Sequence, residues 1–299
     1  MDRVDWIGVD MGVRSLRVWA MHGDAPLHSA VSADKGAGLE ASVLGLLGDW
    51  LPANRITPVI ACGVSSGPGA SGAARFRPVP CTPLGASLHP APARDLRLAL
   101  YLVPGLSQGR PADAAAGTET RIAGFLARHP GWDGVLCLPG ALSRWVHLSA
   151  GEVVSFQTFL TGELGMLLTD HSILRPSVAG WDAGAFIDGI RAGMDRPERL
   201  AARLFGLHAE ALVAGSPPDG GQARLSGLLI GAELAAAKPY WLGQRVAVLG
   251  AAPVTEHYGA ALADLAVPVS THDEAEMTLA GLAQARTLIA PPRTPGRMQ

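Results

Sequence analysis

Lysine is nearly missing from this chain of 299 residues, occurring only at Lys35 and Lys238. Neither sits in a Gly-x-x-x-x-Gly-Lys context, so a P-loop is excluded. Arginine carries almost all the positive charge, and cationic help for a phosphate or carboxylate must come from arginine or a metal. A basic surplus is also lacking, since the formal net charge is -2. That excludes a non-specific nucleic-acid binder and favours a small-molecule partner. No apolar run approaches the roughly 20 residues that cross a bilayer, and glycine and glutamate break the longest candidate, residues 225–237. The opening Met1-Asp2-Arg3-Val4-Asp5-Trp6 has neither the basic nor the apolar region of a signal peptide, so a soluble, cytoplasmic protein without a membrane partner is expected. Cysteine is scarce; Cys62, Cys81 and Cys137 are odd in number, lack metal-type spacing and read as reduced, semi-buried thiols.

Against these absences stands a hydrophobic content of 48%, with charged residues at 17%. Such a chain has material for a core and is not disordered. Its length favours two packed domains. Residues 6–10 and 16–21 read as strands joined by a tight glycine turn, with a third strand at 27–32. A helical apolar face follows over 39–51, then a short buried strand at 58–63. This β-β-β-α-β order is common to actin-like ATPase domains. Residues 64–93 read as irregular chain over a cleft, 96–102 as a strand, 107–117 as a polar loop and 118–128 as a helix. A second set begins with a strand at 134–138 and a hairpin over 144–149 and 153–159. Helices are expected near 162–171, 182–193, 196–206, 222–237, 254–265 and 273–286, with strands at 245–249 and 267–271. The reading is an α/β protein with an N-terminal domain over 1–117 and a C-terminal domain over 118–299, the closing helix 273–286 packing back on the first. Trp19, Trp132, Trp145 and Trp181 read as packing residues. The apolar helices at 222–237 and 254–265 leave room for a homodimer.

Three places could carry chemistry. Asp10-Met11-Gly12 sits in the first hairpin. Glycine there lets backbone N–H groups approach a phosphate, and the aspartate can hold Mg²⁺ directly or through water. An Asp-x-Gly is equally an ordinary turn when taken alone. The second place is Leu138-Pro139-Gly140-Ala141-Leu142-Ser143, a strand end that is either a second phosphate turn or a structural one. The third is Val246 to Pro253, a buried strand entering a helix through Gly250, without the three glycines of a dinucleotide fingerprint.

Across nearly its whole length the chain resembles the 2-dehydro-3-deoxygalactonokinase family, sugar-acid kinases of the actin-like superfamily. The resemblance is carried by Cys137-Leu-Pro-Gly140 through Arg144-Trp145-Val146, by Phe156 to Leu164, by His171-Ser172-Ile-Leu174 and by Leu228 to Leu234. Gly117 to Thr120 and the Val9-Asp10-Met11-Gly12 hairpin match in part. It implies a two-domain actin-like ATPase (ribonuclease H-like) fold with a cleft between domains, ATP and Mg²⁺ as cofactors, and a small sugar acid as partner. The implied reaction is phosphorylation of a terminal hydroxyl, with 2-dehydro-3-deoxygalactonate the first candidate.

Carried over by position, Asp10 assists the metal, and Gly12 with Arg14 and Ser15 meets the phosphates. Gly140 and Ser143 line a second phosphate turn, and Gly250 borders the nucleotide. Ser65, Ser66, Gly117 and Thr120 fall on substrate loops. Glu119 is the candidate for positioning or deprotonating the substrate hydroxyl, with Asp113 in reserve. Thr161 and Glu163 read as the start of a structural helix. Glu233 reads either as a helix–helix contact or as a residue facing the nucleotide. The phosphate loops depart from the family pattern: Gly12 is followed by Val13 and Arg14 rather than hydroxyl residues, Ala115-Ala116 replaces Met-Arg, and Ala141-Leu142 replaces Thr-His. A binding relative that serves as a sensor or assembly subunit is therefore the second reading.

Overall fold

The computed structural model describes residues 4–33, 38–64, 76–215 and 219–289. The chain divides into two compact units, residues 1–131 with 275–299, and residues 132–274.

In the first unit, β1 (Trp6–Met11), β2 (Leu16–His22) and β3 (Ala25–Ser32) form an antiparallel meander. Helix α1 (Leu39–Leu47) follows, and β4 (Thr57–Cys62) returns parallel to β1. Short strands β5 (Phe76–Pro78) and β6 (His89–Ala91) precede β7 (Leu98–Leu102), giving a six-stranded sheet in the order β3-β2-β1-β4-β7-β6. Strand alternation divides the apolar residues between two faces. Ile7, Val9, Val18 and Val59 pack with Val43 and Leu47 of α1. Trp6, Trp19, Met21 and Ile60 pack with Leu282 and Ala285 of the closing helix. The strand expected at 96–102 starts two residues later because Asp95 accepts from both the backbone and the guanidinium of Arg97, which makes a turn there.

The expected polar loop at 107–117 is instead an antiparallel hairpin, β8 (Gly105–Gly109) and β9 (Ala112–Ala115), with β5 alongside β8. Glycine, alanine and serine are weak strand formers, so ladder hydrogen bonds rather than propensity make this ribbon. Of the stretch 64–93 expected to be irregular, residues 65–75 lie outside the described residues, and β5 and β6 are strands. Helix α2 (Thr118–Arg128) follows.

In the second unit, β10 (Gly134–Leu138), β11 (Ser143–Ser149) and β12 (Glu152–Phe159) form another meander. Then come α3 (Thr161–His171), α4 (Ala183–Asp195), α5 (Leu200–Ala214), α6 (Gly221–Ala236) and the short α7 (Lys238–Trp241). The helix expected at 196–206 is displaced to α5, because Pro197 begins a separate single turn before it. Strand β13 (Val246–Gly250), α8 (Val254–Asp264) and β14 (Val269–Asp273) complete the sheet, ordered β12-β11-β10-β13-β14.

Helices α4 and α6 pack closely. A Cβ on Gly193 would lie 2.5 Å from the Leu228 carbonyl oxygen, and one on Gly227 would lie 2.2 Å from that of Phe186. Most of α6 is thereby covered within its own unit. The closing helix α9 (Glu274–Arg286) belongs with the first unit, where α2 also packs. A Cβ on Gly124 of α2 would meet the Met277 carbonyl oxygen at 1.8 Å, and one on Gly281 would meet that of Thr120 at 1.9 Å. The division into units therefore falls after Gly131, and α2 lies on the first side of it. Cys62 and Cys137 are buried and Cys81 is half-buried, all as free thiols.

Candidate functional site

Each unit holds a candidate site at the carboxyl edge of its parallel strands. In the first, the parallel pairing of β1 with β4 ends at Asp10 opposite Cys62. The chain then turns at Gly63, with φ 78°, so close to the first strand that a Cβ there would lie 2.3 Å from the Met11 carbonyl oxygen. Gly117 arrives from the β9–α2 junction with φ 87°. Its Cβ position would be 3.4 Å from Gly63 Cα and 3.7 Å from Asp10 Oδ1. Three backbone segments thus meet around one carboxylate where only glycine fits.

Asp10 is not isolated. Arg121 of α2 donates from Nη2 to its Oδ2 at 3.0 Å, and the two side chains keep only 18% and 14% of their surface. The Cys62 thiol reaches Oδ1 at 3.6 Å. Burial first, then the neighbouring Asp10 and Glu119 carboxylates, push the thiol's pKa well up, so Cys62 stays protonated.

Glu119 is fully buried in the first turn of α2. Its Oε1 accepts from the Gly117 N–H at 3.1 Å and from the Thr120 hydroxyl at 3.0 Å. Its Oε2 has no hydrogen-bond partner among the described residues. Burial pushes the carboxyl up to about 7, outweighing the hydrogen bonds from its own N–H and Thr120 and the pull of Arg121. A buried carboxyl with one unpaired oxygen and a pKa near neutrality is the profile of a general base. The Thr118 hydroxyl beside it is also buried without a partner among the described residues.

The first unit therefore brings together Asp10, Gly117, Glu119 and Thr120, although the Thr120 hydroxyl is directed at Glu119. Gly12 lies half-buried in the β1–β2 turn, with Arg14 and Ser15 exposed at its tip. Asp113 lies on the β8–β9 ribbon opposite Gln108 and accepts from the Ala114 N–H. Ser65 and Ser66 lie outside the described residues.

In the second unit, β10 and β13 run parallel and their following loops touch. A Cβ on Gly250 would lie 3.3 Å from Pro139 Cγ and 2.9 Å from Thr255 Cγ2. Gly140 is exposed. The turn after it is held by the start of α3, where the Glu163 N–H donates to the Ala141 carbonyl at 3.0 Å. Ser143, expected to line the phosphate turn, is fully buried and points inward. Its hydroxyl donates to Glu233 Oε1 at 2.7 Å.

Glu233 is a buried hub. It also accepts from Trp145 Nε1 at 2.7 Å, from the Tyr258 hydroxyl at 2.8 Å and from Thr161. Burial pushes its pKa upward, opposed by the hydrogen bonds from Thr161, Ser143, Trp145 and Tyr258. Four polar groups from β11, α3 and α8 thus converge on one buried carboxyl group. Of the two sequence readings of Glu233, an internal contact is what the structure shows. Thr161, expected as a helix cap, is the first residue of α3 and spends its hydroxyl on Glu233.

Sequence reasoning missed Arg121. It lies 111 positions from Asp10, and no local pattern joins the two. The one available signal was its place one residue after the Glu119-Thr120 pair. Trp181, read as a packing residue, packs on His257 and Phe186 and keeps 47% of its surface.

Residues 10–285 match the family model described as 2-keto-3-deoxy-galactonokinase. The 2-dehydro-3-deoxygalactonokinase of Escherichia coli strain K12 is 28% identical over 253 residues, covering 82% of this chain and 84% of that protein. A probable 2-dehydro-3-deoxygalactonokinase of Rhizobium meliloti strain 1021 is 28% identical, covering 96% and 98%. The crystal structure of a candidate 2-dehydro-3-deoxygalactonokinase from Sinorhizobium meliloti superposes with a TM-score of 0.83 at 29% identity, covering 98% of this chain and 100% of that one. A candidate N-acetylglucosamine kinase from Porphyromonas gingivalis, at 13% identity, a TM-score of 0.51 and coverage of 94% and 99%, shares the fold alone.

Proposed function

The chain belongs to the 2-keto-3-deoxy-galactonokinase family, a family of phosphotransferases with an alcohol group as acceptor, and on that premise we propose that it phosphorylates the terminal hydroxyl of 2-dehydro-3-deoxygalactonate at the expense of ATP. The observation that carries the chemistry is Glu119, whose unpaired buried oxygen stands among Gly117, Thr120 and the Asp10–Arg121 pair. Its Oε2 would take the proton of the acceptor hydroxyl as the hydroxyl oxygen bonds to the γ-phosphorus of ATP and the bond from that phosphorus to the β,γ-bridging oxygen breaks, with ADP as the leaving group. A base with pKa about 7 is largely ionised just above neutrality yet still basic enough to be useful.

Asp10 is the carboxylate proposed to hold Mg²⁺. Among the described residues no group of three or more acidic, histidine or cysteine side chains is placed to hold a metal. That fits a magnesium ion bound by one carboxylate, phosphate oxygens and water. Among the described residues, Oδ1 of Asp10 meets the weakly donating Cys62 thiol, while Oδ2 is the oxygen that pairs with Arg121. When bound, MgATP supplies the transferable phosphoryl group and offsets charge on its oxygens.

Gly12, Arg14 and Ser15 at the first hairpin are assigned to phosphates, as are Gly140 and Gly250 in the second unit. Gly117 and Thr120 are assigned to the substrate loop, with Ser65 and Ser66. The role of Ser143 is to hold the turn through Glu233 rather than to touch phosphate. No described helix is long and apolar enough to cross a membrane. A cytoplasmic setting and a small-molecule partner are part of the proposal.

The test is ADP release with a panel of 2-keto-3-deoxy sugar acids. Turnover should require the sugar acid and magnesium, and should be highest with the galactonate-derived member. If every acid leaves ATP intact while ligands still raise Tm, the kinase reading fails and a binding role replaces it.

A further inference from the structure

Trp181 breaks the pattern of this chain's tryptophans. Trp6, Trp19, Trp132, Trp145 and Trp241 are buried and Trp50 is half-buried, whereas Trp181 leaves 47% of its surface in solvent. It is nonetheless held firmly. It stacks on His257 with ring centroids 4.2 Å apart and planes 15° from parallel. Phe186, itself buried, backs both rings at 5.4 Å and 5.3 Å. The residue after Trp181 is Asp182, whose side chain caps α4 by accepting from the Ala185 N–H at 2.7 Å, so the backbone there is fixed. The result is a rigid aromatic step with one face packed and the other open.

Its position suggests the ligand. His257 lies in the first turn of α8, with its N–H donating to the Pro253 carbonyl at 3.1 Å. That turn rises directly from the exposed 251–253 loop after β13, and Gly250 at the loop's start touches Pro139 of the other turn. His257 therefore lies in the first turn of the helix that leaves the carboxyl edge of β13, the edge at which ligands bind in open α/β sheets. Burial holds the His257 pKa below its ordinary value, so the imidazole is neutral at pH 7 and adds no charge to the step. A flat, neutral, preformed aromatic surface suits a heteroaromatic ring better than a charged or acyclic group.

We propose that the Trp181–His257 step is the stacking surface for the base of the nucleotide that this chain uses. The proposal deepens the kinase reading and rests on it. Stacking recognises the face of the base rather than its edge, so purine nucleotides should be accepted alike.

The experiment measures binding of MgATP and of magnesium tripolyphosphate by calorimetry to the whole chain and to the Trp181→Ala and Trp181→Phe variants. Base–aromatic stacking predicts that Trp181→Ala weakens MgATP about five- to a hundredfold. Tripolyphosphate, which has no base, should bind unchanged, and Trp181→Phe should recover most of the loss. Equal MgATP affinity in Trp181→Ala and the unsubstituted chain overturns the assignment alone. So does a parallel loss for tripolyphosphate, which would mean a disturbed loop, or a change of oligomeric mass with MgATP affinity intact, which would mean a contact between copies. Failure of the unsubstituted chain to bind MgATP at all overturns the kinase reading, and this assignment with it.

Discussion

Replacing Glu119 by glutamine tests the base assignment through stability before any turnover is measured. The carboxyl has an ordinary pKa of 4.5 and one of about 7 in the folded chain. Ionising it in the folded protein therefore costs about 3 kcal/mol more than in the unfolded chain. The folded state keeps the proton to higher pH, so between these two values it binds more protons than the unfolded state. Stability is accordingly highest below 4.5, falls by about 3 kcal/mol as pH rises to about 7, and is flat beyond as far as this group is concerned.

The E119Q variant does not titrate and lacks that fall. Its amide oxygen can keep the Gly117 N–H and the Thr120 hydroxyl, while its NH₂ replaces the oxygen that has no partner. That orphaned donor costs about 1–3 kcal/mol. The variant should thus be less stable than the parent near pH 5, and the gap should close or reverse near pH 8, at roughly the unit spacing urea melts resolve. The same titration predicts that parent turnover rises through a pKa of about 7, and that E119Q loses this limb together with about 10²–10⁴ of the rate. Stability profiles that run parallel from about pH 5 to about pH 8 would refute the reasoning, since a carboxyl titrating near neutrality cannot be silent in that window.

Asp10→Asn should leave the fold intact and lower turnover by orders of magnitude, with manganese binding in the presence of nucleotide weakened in parallel. Unchanged turnover would remove Asp10 from the metal assignment. Glu233→Ala strands the donors of Ser143, Trp145, Thr161 and Tyr258 in the core and should cost about 3–5 kcal/mol in urea unfolding; a cost below about 1 kcal/mol would show that the hub is not a fixed network. Gly124→Ala forces a Cβ to within 1.8 Å of the Met277 carbonyl and should cost about 3 kcal/mol or more. Gly109→Ala, with nothing within 4 Å of the new atom, should be nearly neutral in the same melt.

The strands and helices around the sites were largely legible because periodicity is local. Two strand-type runs about a tight glycine turn marked β1 and β2, the run 134–138 marked β10, and Leu-rich spacing marked α1. The β8–β9 ribbon escaped because Gly-Leu-Ser-Gln-Gly and Ala-Asp-Ala-Ala carry no such alternation; pairing alone makes them strands. Pro197 moved α5 by ending one turn before the next could start, an effect visible in the sequence but not given its weight.

The scarcity of lysine spoke against a P-loop, and motif order pointed to a sugar-acid kinase. Individual residues were a different matter. Asp10 was identifiable from its hairpin, but its ion pair with Arg121 bridges 111 positions. Glu119 was identifiable as the remaining acid of its loop. Its pKa is a property of burial, because the same carboxyl in water titrates near 4.5. Ser143 looked like a phosphate ligand from its turn and faces Glu233 instead. Trp181 looked like packing and stands half in solvent. The sequence by itself determined most of the elements and pointed to the kind of chemistry they serve, since propensity, spacing and composition act over a few residues. Tertiary structure decided which charges are desolvated, which donors are already spent and which rings remain open, because those follow from neighbours far apart along the chain.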